Sequence, residues 1–413
     1  MSAIASGQPS SLRQDLRIIG VVGAAHGGSH FFQLVLPPLF PWLKDAFGVS
    51  YTELALLMTV FFATSGLSQA AAGFVVDRIG AARVLAAGLA SMTLGAVLIA
   101  IAPGYWAMLP AAILFGLGNA VFHPADYAIL NHHVTTNRMA RAFSVHTVGG
   151  TLGWAVAPVL MATCATLVSW RFALIVAALI GLALTLMVLL SQRNLETPAE
   201  ARHHDTESRR QARGAILQLF TSSAILLCFA FFTLQAAAFI AVQSFMPLAL
   251  HYLYGTAMMV ATATVTAFML GSAVGNIAGG VLADASGRFQ AIIATGFSLS
   301  ALCLLAVGLI ELPIAALYGL IAIAGGLQGL TTPSRDMLVR SATPPGGTGK
   351  VFGFVYSGLD LGSMIMPLPV GWLLDHGHEG VFFPLVASVT LLMILTATSI
   401  PGRRPAAQPS AAE

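Results

Sequence analysis

From Gly214 to Ala283 the chain carries no Asp, Glu, Lys or Arg, and the same holds for Ile18–Leu43, Leu54–Val76 and Val84–Ala125. No other feature narrows the possible folds as far. A bilayer crossing takes about 20 apolar residues, so the run ending at Ala125 holds two crossings, broken at Pro103-Gly104. The run ending at Ala283 holds two more, broken around His251–Gly255. Backbone groups in lipid must be hydrogen-bonded within the segment, which makes these crossings helices. Composition agrees: 8% of residues are charged and mean hydropathy is +0.84, against about 25% charged in soluble domains. The expected fold class is an all-α polytopic membrane protein.

Twelve spans are expected: 18–40, 54–76, 84–102, 105–127, 142–163, 170–190, 218–246, 257–283, 289–309, 313–334, 351–373 and 380–400. They divide the chain into a tail (1–17), a six-helix bundle (18–191), a polar linker (192–213), a second six-helix bundle (214–400) and a C-terminal tail (401–413). Lysine and arginine collect on the cytoplasmic side of a membrane. With the N-terminus inside, only Lys44 and Arg171 fall outside, so both tails and the linker are expected in the cytoplasm. The first 17 residues are polar and no cleavable signal peptide is expected. Cys164, Cys228 and Cys303 lie inside apolar runs and read as small core residues.

The two bundles are related. Pro124, Arg141, Phe143, Gly153 and Pro158 recur as Pro333, Lys350, Phe352, Gly362 and Pro367, a constant step of 209 positions (124 to 333). Gly73-x-x-x-Asp77-Arg78-x-Gly80-x-x-Arg83 also recurs, degenerately, as Gly280-x-x-x-Asp284-Ala285-Ser286-Gly287-Arg288. A constant offset over many positions marks a tandem duplication. In the loop, Gly73 is expected to let helices approach closely. Asp77 is expected to cap a helix N-terminus, and Arg78 and Arg83 to bridge to acids across the interface between halves.

Twelve spans in two related halves, a central linker and this loop in both halves resemble the major facilitator superfamily. Leu36-Pro37-Pro38-Leu39 and Phe122-His123-Pro124 are similar to its fosmidomycin-resistance-type exporter branch. The resemblance implies two pseudo-symmetric bundles around a central cavity lined by spans 1, 4, 7 and 10 and opening alternately to each side. Gly153-x-x-x-Ala157-Pro158 resembles the span-five motif of antiporter members, with Ala157 in place of the expected glycine. Gly73, Asp77, Arg78, Arg83, Asp284, Arg288, Gly153 and Pro158 are therefore the expected conformational residues.

Ionisable groups inside a bilayer are costly and need a reason. His26 and His30 lie four apart on one face of span one, with Gln33 close by. Histidine titrates near neutrality, which suits either substrate binding or proton carriage; packing is the plainer alternative. Asp126 and Arg335 occupy equivalent places in the two halves and could pair across the cavity, with Asp126 as proton acceptor; snorkelling to water at the membrane edge is the plainer alternative. Asp360, deep in span eleven, is a second acid. His146 is either a relay or a packing residue. His26, His30, Gln33, His123, Gln235, Gln243, Gln328 and Arg335 form the expected substrate set, and Asp126, Asp360 and His30 the proton set. A metal would need further ligands, of which only His123 and Asp126 are in view, so no metal is expected.

The chain has no phosphate-binding Gly-x-x-x-x-Gly-Lys-Ser/Thr loop and no Gly-x-Ser-x-Gly or His-Glu-x-x-His motif. The expected function is a proton-coupled secondary transporter of the bacterial inner membrane, a monomer without cofactor. It would export a small organic compound against protons, with no nucleic-acid partner. Proton symport of an organic acid or metallophore is the alternative reading. A sensor or an intramembrane enzyme is the reading from a different class.

Overall fold

The computed structural model describes residues 11–197, 222–342 and 348–400, and within them the chain is almost wholly helical. The first half comprises α1 (Leu12–Gln33), α2 (Phe40–Phe47), α3 (Tyr51–Ile79), α4 (Ala81–Ala100), α5 (Met108–Ala120), α6 (Phe122–His133), α7 (Met139–Leu167) and α8 (Trp170–Leu195). The second comprises α9 (Ser223–Tyr254), α10 (Met258–Ser286), α11 (Phe289–Leu309), α12 (Ile314–Ala342), α13 (Thr348–Ile365), α14 (Pro367–Asp375) and α15 (Phe382–Ser399).

Proline decides where the expected spans break. Span one is α1 followed by a short 3-10 turn at Pro37–Leu39 and then α2, because two successive prolines supply no N–H to continue the helix. Span four divides at Val121 into α5 and α6, three residues before Pro124. Span eleven divides at Met366, before Pro367. Among the described residues eleven stretches are long and apolar enough to cross a membrane; α13 and α14 lie where the expected layout has its twelfth crossing. α8 runs to Leu195, so the polar linker begins later than 192, and most of it lies outside the described residues.

Two compact units are present. One holds α1 to α8 with Val242–Met269 and Pro367–Glu379. The other holds the remainder of α9 and α10 together with α11, α12, α13 and α15. In the second unit Phe231, Phe232, Phe297, Val355 and Met393 are buried together. Between helices in lipid there is little hydrophobic drive, so close backbone packing and interhelical hydrogen bonds carry association.

The duplication is written into the backbone. Gly48 and Gly255 have φ of +64° each, and Gly80 and Gly287 have +98° and +62°. All four stand at helix-to-helix turns where an L side chain is strained. On α7, Gly149 and Gly153 lie against the carbonyls of Gly23 and Gly27 of α1; on α13, Gly358 and Gly362 lie against those of Phe229 and Thr233 of α9. In each half two glycines, four apart, press onto the first-span backbone at the same register.

The loop motif needs correction. A Cβ placed at Gly73 or at Gly280 meets no atom within 4 Å, so neither glycine is a close-approach point. The tight contacts fall at Gly149 and Gly153 instead. The acid that Arg83 reaches is Glu196, at 3.0 Å and within the same half, between two exposed side chains; such a pair contributes roughly 0–1 kcal/mol. Among the described residues Asp77, Arg78 and Asp284 have no side-chain partner, and Arg288 contributes a backbone N–H to Ser286. Pro158 lies inside α7.

Candidate functional site

α1, α6 and α7 are tied together before any site chemistry is considered. Asp15, fully buried in the first turn of α1, accepts from Arg138 at 2.7 Å and from Thr135 at 2.9 Å, which fixes the α6–α7 connection on α1. The glycine contact then brings α7 against α1 along its length. Backbones this close set the side chains beside them face to face.

At the centre of that contact sits Asp126 of α6, with no exposed surface. Its Oδ2 lies 3.0 Å from Nδ1 of His26 and 3.0 Å from Nε2 of His146. With Asp126 ionised the carboxylate only accepts, and in that state both ring nitrogens donate to the same oxygen. The two imidazoles stack, with centroids 3.6 Å apart and planes 23° from parallel. Oδ1 of Asp126 is buried without a partner. With both rings neutral the group holds one negative charge, and one added proton makes it neutral. His123, also on α6, lies 5.2 Å from His26 and 6.1 Å from His146 by ring centroid and is itself exposed. It is the open side of an otherwise buried cluster.

A polar chain extends from this group along α1. His30 lies 4.4 Å from His26 and stacks on Trp154 of α7 at 4.0 Å. Trp154 Nε1 donates to Gln33 Oε1 at 3.0 Å, Gln33 Nε2 donates to Asn119 Oδ1 at 2.9 Å, and Asn119 Nδ2 donates to Ser65 Oγ at 2.8 Å. Four helices contribute to it.

His26, His123 and His146 bring one ring nitrogen each within 4.8 Å of the others, the spacing of a metal triad. The stacking argues against that use. Lone pairs of an imidazole lie in the ring plane, so those of stacked rings run side by side rather than converging on a tetrahedral centre. Both rings already serve Asp126. The stacked geometry suits hydrogen bonding to Asp126 better than chelation of an ion.

The second half has its own polar group. Arg335 of α12 donates from Nε to Asp336 at 2.9 Å and from Nη1 to Gln235 of α9 at 2.8 Å, and its guanidinium lies 4.6 Å above the ring of Phe232. Tyr356 donates to Asp336 at 3.1 Å. Asp126 and Arg335 thus each have partners within their own half. Asp360 is half-buried and without a partner among the described residues. Gln243 and Gln328 are committed elsewhere: Gln243 to the sulfur of Met269 at 3.4 Å, Gln328 to Ser300 at 3.2 Å, and both are buried.

Sequence reasoning found His26, His30, His123 and Asp126. It left His146 undecided and missed Trp154, Asn119 and Ser65. A search for polar residues on the α1-facing side of spans two, four and five would have found them.

Buried polar groups held between membrane-crossing helices, in a chain built from two repeated halves, define a multi-pass membrane transporter rather than an enzyme. The chain belongs to the Major Facilitator Superfamily, whose sequence profile matches residues 22–265 and 241–413. It is 24% identical over 410 residues to the fosmidomycin resistance protein of Escherichia coli, with 95% of each chain covered. It is 25% identical over 382 residues to an uncharacterised MFS-type transporter, YfnC, of Bacillus subtilis, covering 92% of this chain and 90% of that one. A bacterial homologue of the human lysosomal transporter Spinster, solved in an inward-facing, unoccupied conformation, shares the fold. Its TM-score is 0.74 at 14% identity, covering 96% of this chain and all of the other.

Proposed function

We propose that this transporter is driven by protons, that Asp126 with His26 and His146 is its proton-holding group, and that it exports a small organic compound in exchange for protons. The observation that carries the reading is a fully buried carboxylate oxygen shared by two imidazoles, with His123 exposed beside them. A charge in a bilayer is expensive unless neutralised, and a proton neutralises this one. Arg335, oriented by Asp336 and Gln235, supplies the binding group for an anionic part of the substrate. The protein acts as a monomer in the bacterial inner membrane with both termini in the cytoplasm; the lysine and arginine distribution supports that orientation. Similarity to a fosmidomycin resistance protein supports export.

The test is proton flux in proteoliposomes, screened against antimicrobials, organic acids and siderophores. A compound that moves protons opposite to its own direction supports exchange. Co-movement overturns export and supports proton-driven uptake through the same cluster. Flux of a compound with no proton movement overturns the proton reading itself.

A further inference from the structure

At the end of the molecule opposite the loop motif, α3 begins at Tyr51 with an unusual cap. A helix leaves its first N–H groups without intrahelical partners, and a local capping box provides for only part of them. Ser50 Oγ accepts from the N–H of Glu53 at 3.1 Å, and the Glu53 carboxylate accepts from the N–H of Ser50 at 2.7 Å. The N–H groups of Tyr51 and Thr52 are taken by a residue more than 300 positions away. Asp375, the last residue of α14, accepts from Tyr51 N at 2.7 Å through Oδ1 and from Thr52 N at 2.8 Å through Oδ2. The Thr52 hydroxyl adds a third bond to Oδ2 at 2.6 Å, and Lys44 Nζ stands 3.5 Å from Oδ1 and 4.4 Å from the Tyr51 ring centroid. Lys44 is one of only two basic residues that the sequence places outside.

Two further contacts close the same junction. Tyr51 and Tyr252 share a hydrogen bond between their hydroxyls at 2.6 Å. Gly371, one helical turn before Asp375, lies so near α3 that a Cβ would stand 2.8 Å from the Tyr51 carbonyl oxygen and 3.0 Å from Cβ of Ala55. The carboxylate thus reaches the α3 cap only while α14 and α3 are in backbone contact. Once they part, Tyr51 and Thr52 lose these acceptors and Lys44 its counter-charge.

We propose that Asp375 is the outer latch of the carrier: it holds the outer ends of spans two and eleven together, and its release from Tyr51, Thr52 and Lys44 is the step that admits the outward-open state. This rests on the transporter reading and the orientation above, but not on proton coupling or on any substrate.

The experiment places a single cysteine at Ala55, buried beneath the latch, in a chain whose three native cysteines are replaced. A membrane-impermeant thiol reagent is then added from outside to right-side-out vesicles. Loss of the charge-assisted bonds should raise the labelling rate about tenfold in Asp375→Ala, less in Asp375→Asn, and least in Thr52→Ala. Gly371→Val, which leaves the carboxylate in place but separates the helices, should raise it as well. It also carries the test if Asp375→Ala fails to reach the membrane. Unchanged labelling in folded Asp375→Ala or Gly371→Val overturns the latch. Because no proton gradient or substrate is used, such a failure leaves the proton reading untouched. Conversely, raised labelling in a protein that moves no protons leaves the latch standing.

Discussion

The two halves place their strongest ionisable groups at equivalent positions and give them opposite signs. In the first half the carboxylate of Asp126 reaches back 100 residues to His26; in the second the guanidinium of Arg335 reaches back 100 residues to Gln235. The neighbours differ in kind. Asp126 is held by two imidazoles, side chains that exist in both neutral and protonated forms. Arg335 is held by an amide, an acid and an aromatic face, and a guanidinium stays charged at any accessible pH. One geometry recurs in the two halves, and on the function proposed above one copy serves as the proton holder and the other as a fixed cation. The lesson is that equivalent places in a repeat need not share a role, because what surrounds the charge sets its chemistry.

The largest test of this contrast is Asp126→Asn, which should abolish the pH dependence of flux while the protein still folds and inserts. Reconstituted transport with a normal pH profile would equate the two halves again. Next come the glycine contacts, where the halves should behave alike. Gly153→Ala and Gly362→Ala each press a methyl into a carbonyl of the facing helix, and each should cost about 1–3 kcal/mol of stability in detergent unfolding. A cost in one and none in the other would break the structural equivalence. Arg335→Lys keeps the charge and loses the planar fork; substrate affinity should fall about tenfold, or about 1.4 kcal/mol, with proton movement retained. The smallest effect on transport is expected at Gln328→Leu, which should leave substrate affinity within about twofold, since that amide is committed to Ser300.

A pH prediction separates the outer junction from the inner cluster. Burial by itself raises the Asp375 carboxyl, but the Thr52 hydroxyl and N–H, the Tyr51 N–H and Lys44 outweigh it and hold the group below its ordinary value. A lowered carboxyl keeps its contribution at higher pH and loses it only as pH falls through that lowered value. Labelling of the Ala55 cysteine, divided at each pH by the rate of a free thiol with the same reagent because only the thiolate reacts, should therefore be flat from about pH 8 to about pH 5, both above the usual carboxylate range. A rise in labelling on going to about pH 5 would mean that the carboxylate is not held as described.

The fold was legible because water and lipid divide residues so sharply. Charge-free runs gave the crossings, and a constant step between prolines and glycines gave the duplication. Where helices break was less legible. Pro124 and Pro367 interrupt their spans, but Pro158 and Pro247 sit inside α7 and α9 without ending them. Whether neighbours make up for the lost bond is a tertiary matter. The site was partly visible, since intramembrane histidine and aspartate stand out against an apolar background. Trp154 did not stand out because tryptophan belongs to such a background, and Asn119 had no charge to mark it. Gly73 misled because a glycine permits close approach without requiring it. Asp375 was passed over because a carboxylate near a span end needs no explanation until its distant partners are known.

The glycine seam between α1 and α7 has a mechanical consequence. Interlocked side chains resist axial sliding, because each must climb over the next; two bare backbones offer almost no teeth to climb. The seam is a plain bearing, and the stacked rings ride on its two sides, His26 on α1 and His146 on α7. Slippage by a single residue, about 1.5 Å along a helix, would shear one imidazole across the other and pull both off their shared oxygen. On such a bearing, the travel of the helices and the breaking of the imidazole–carboxylate bonds are one displacement read on two scales.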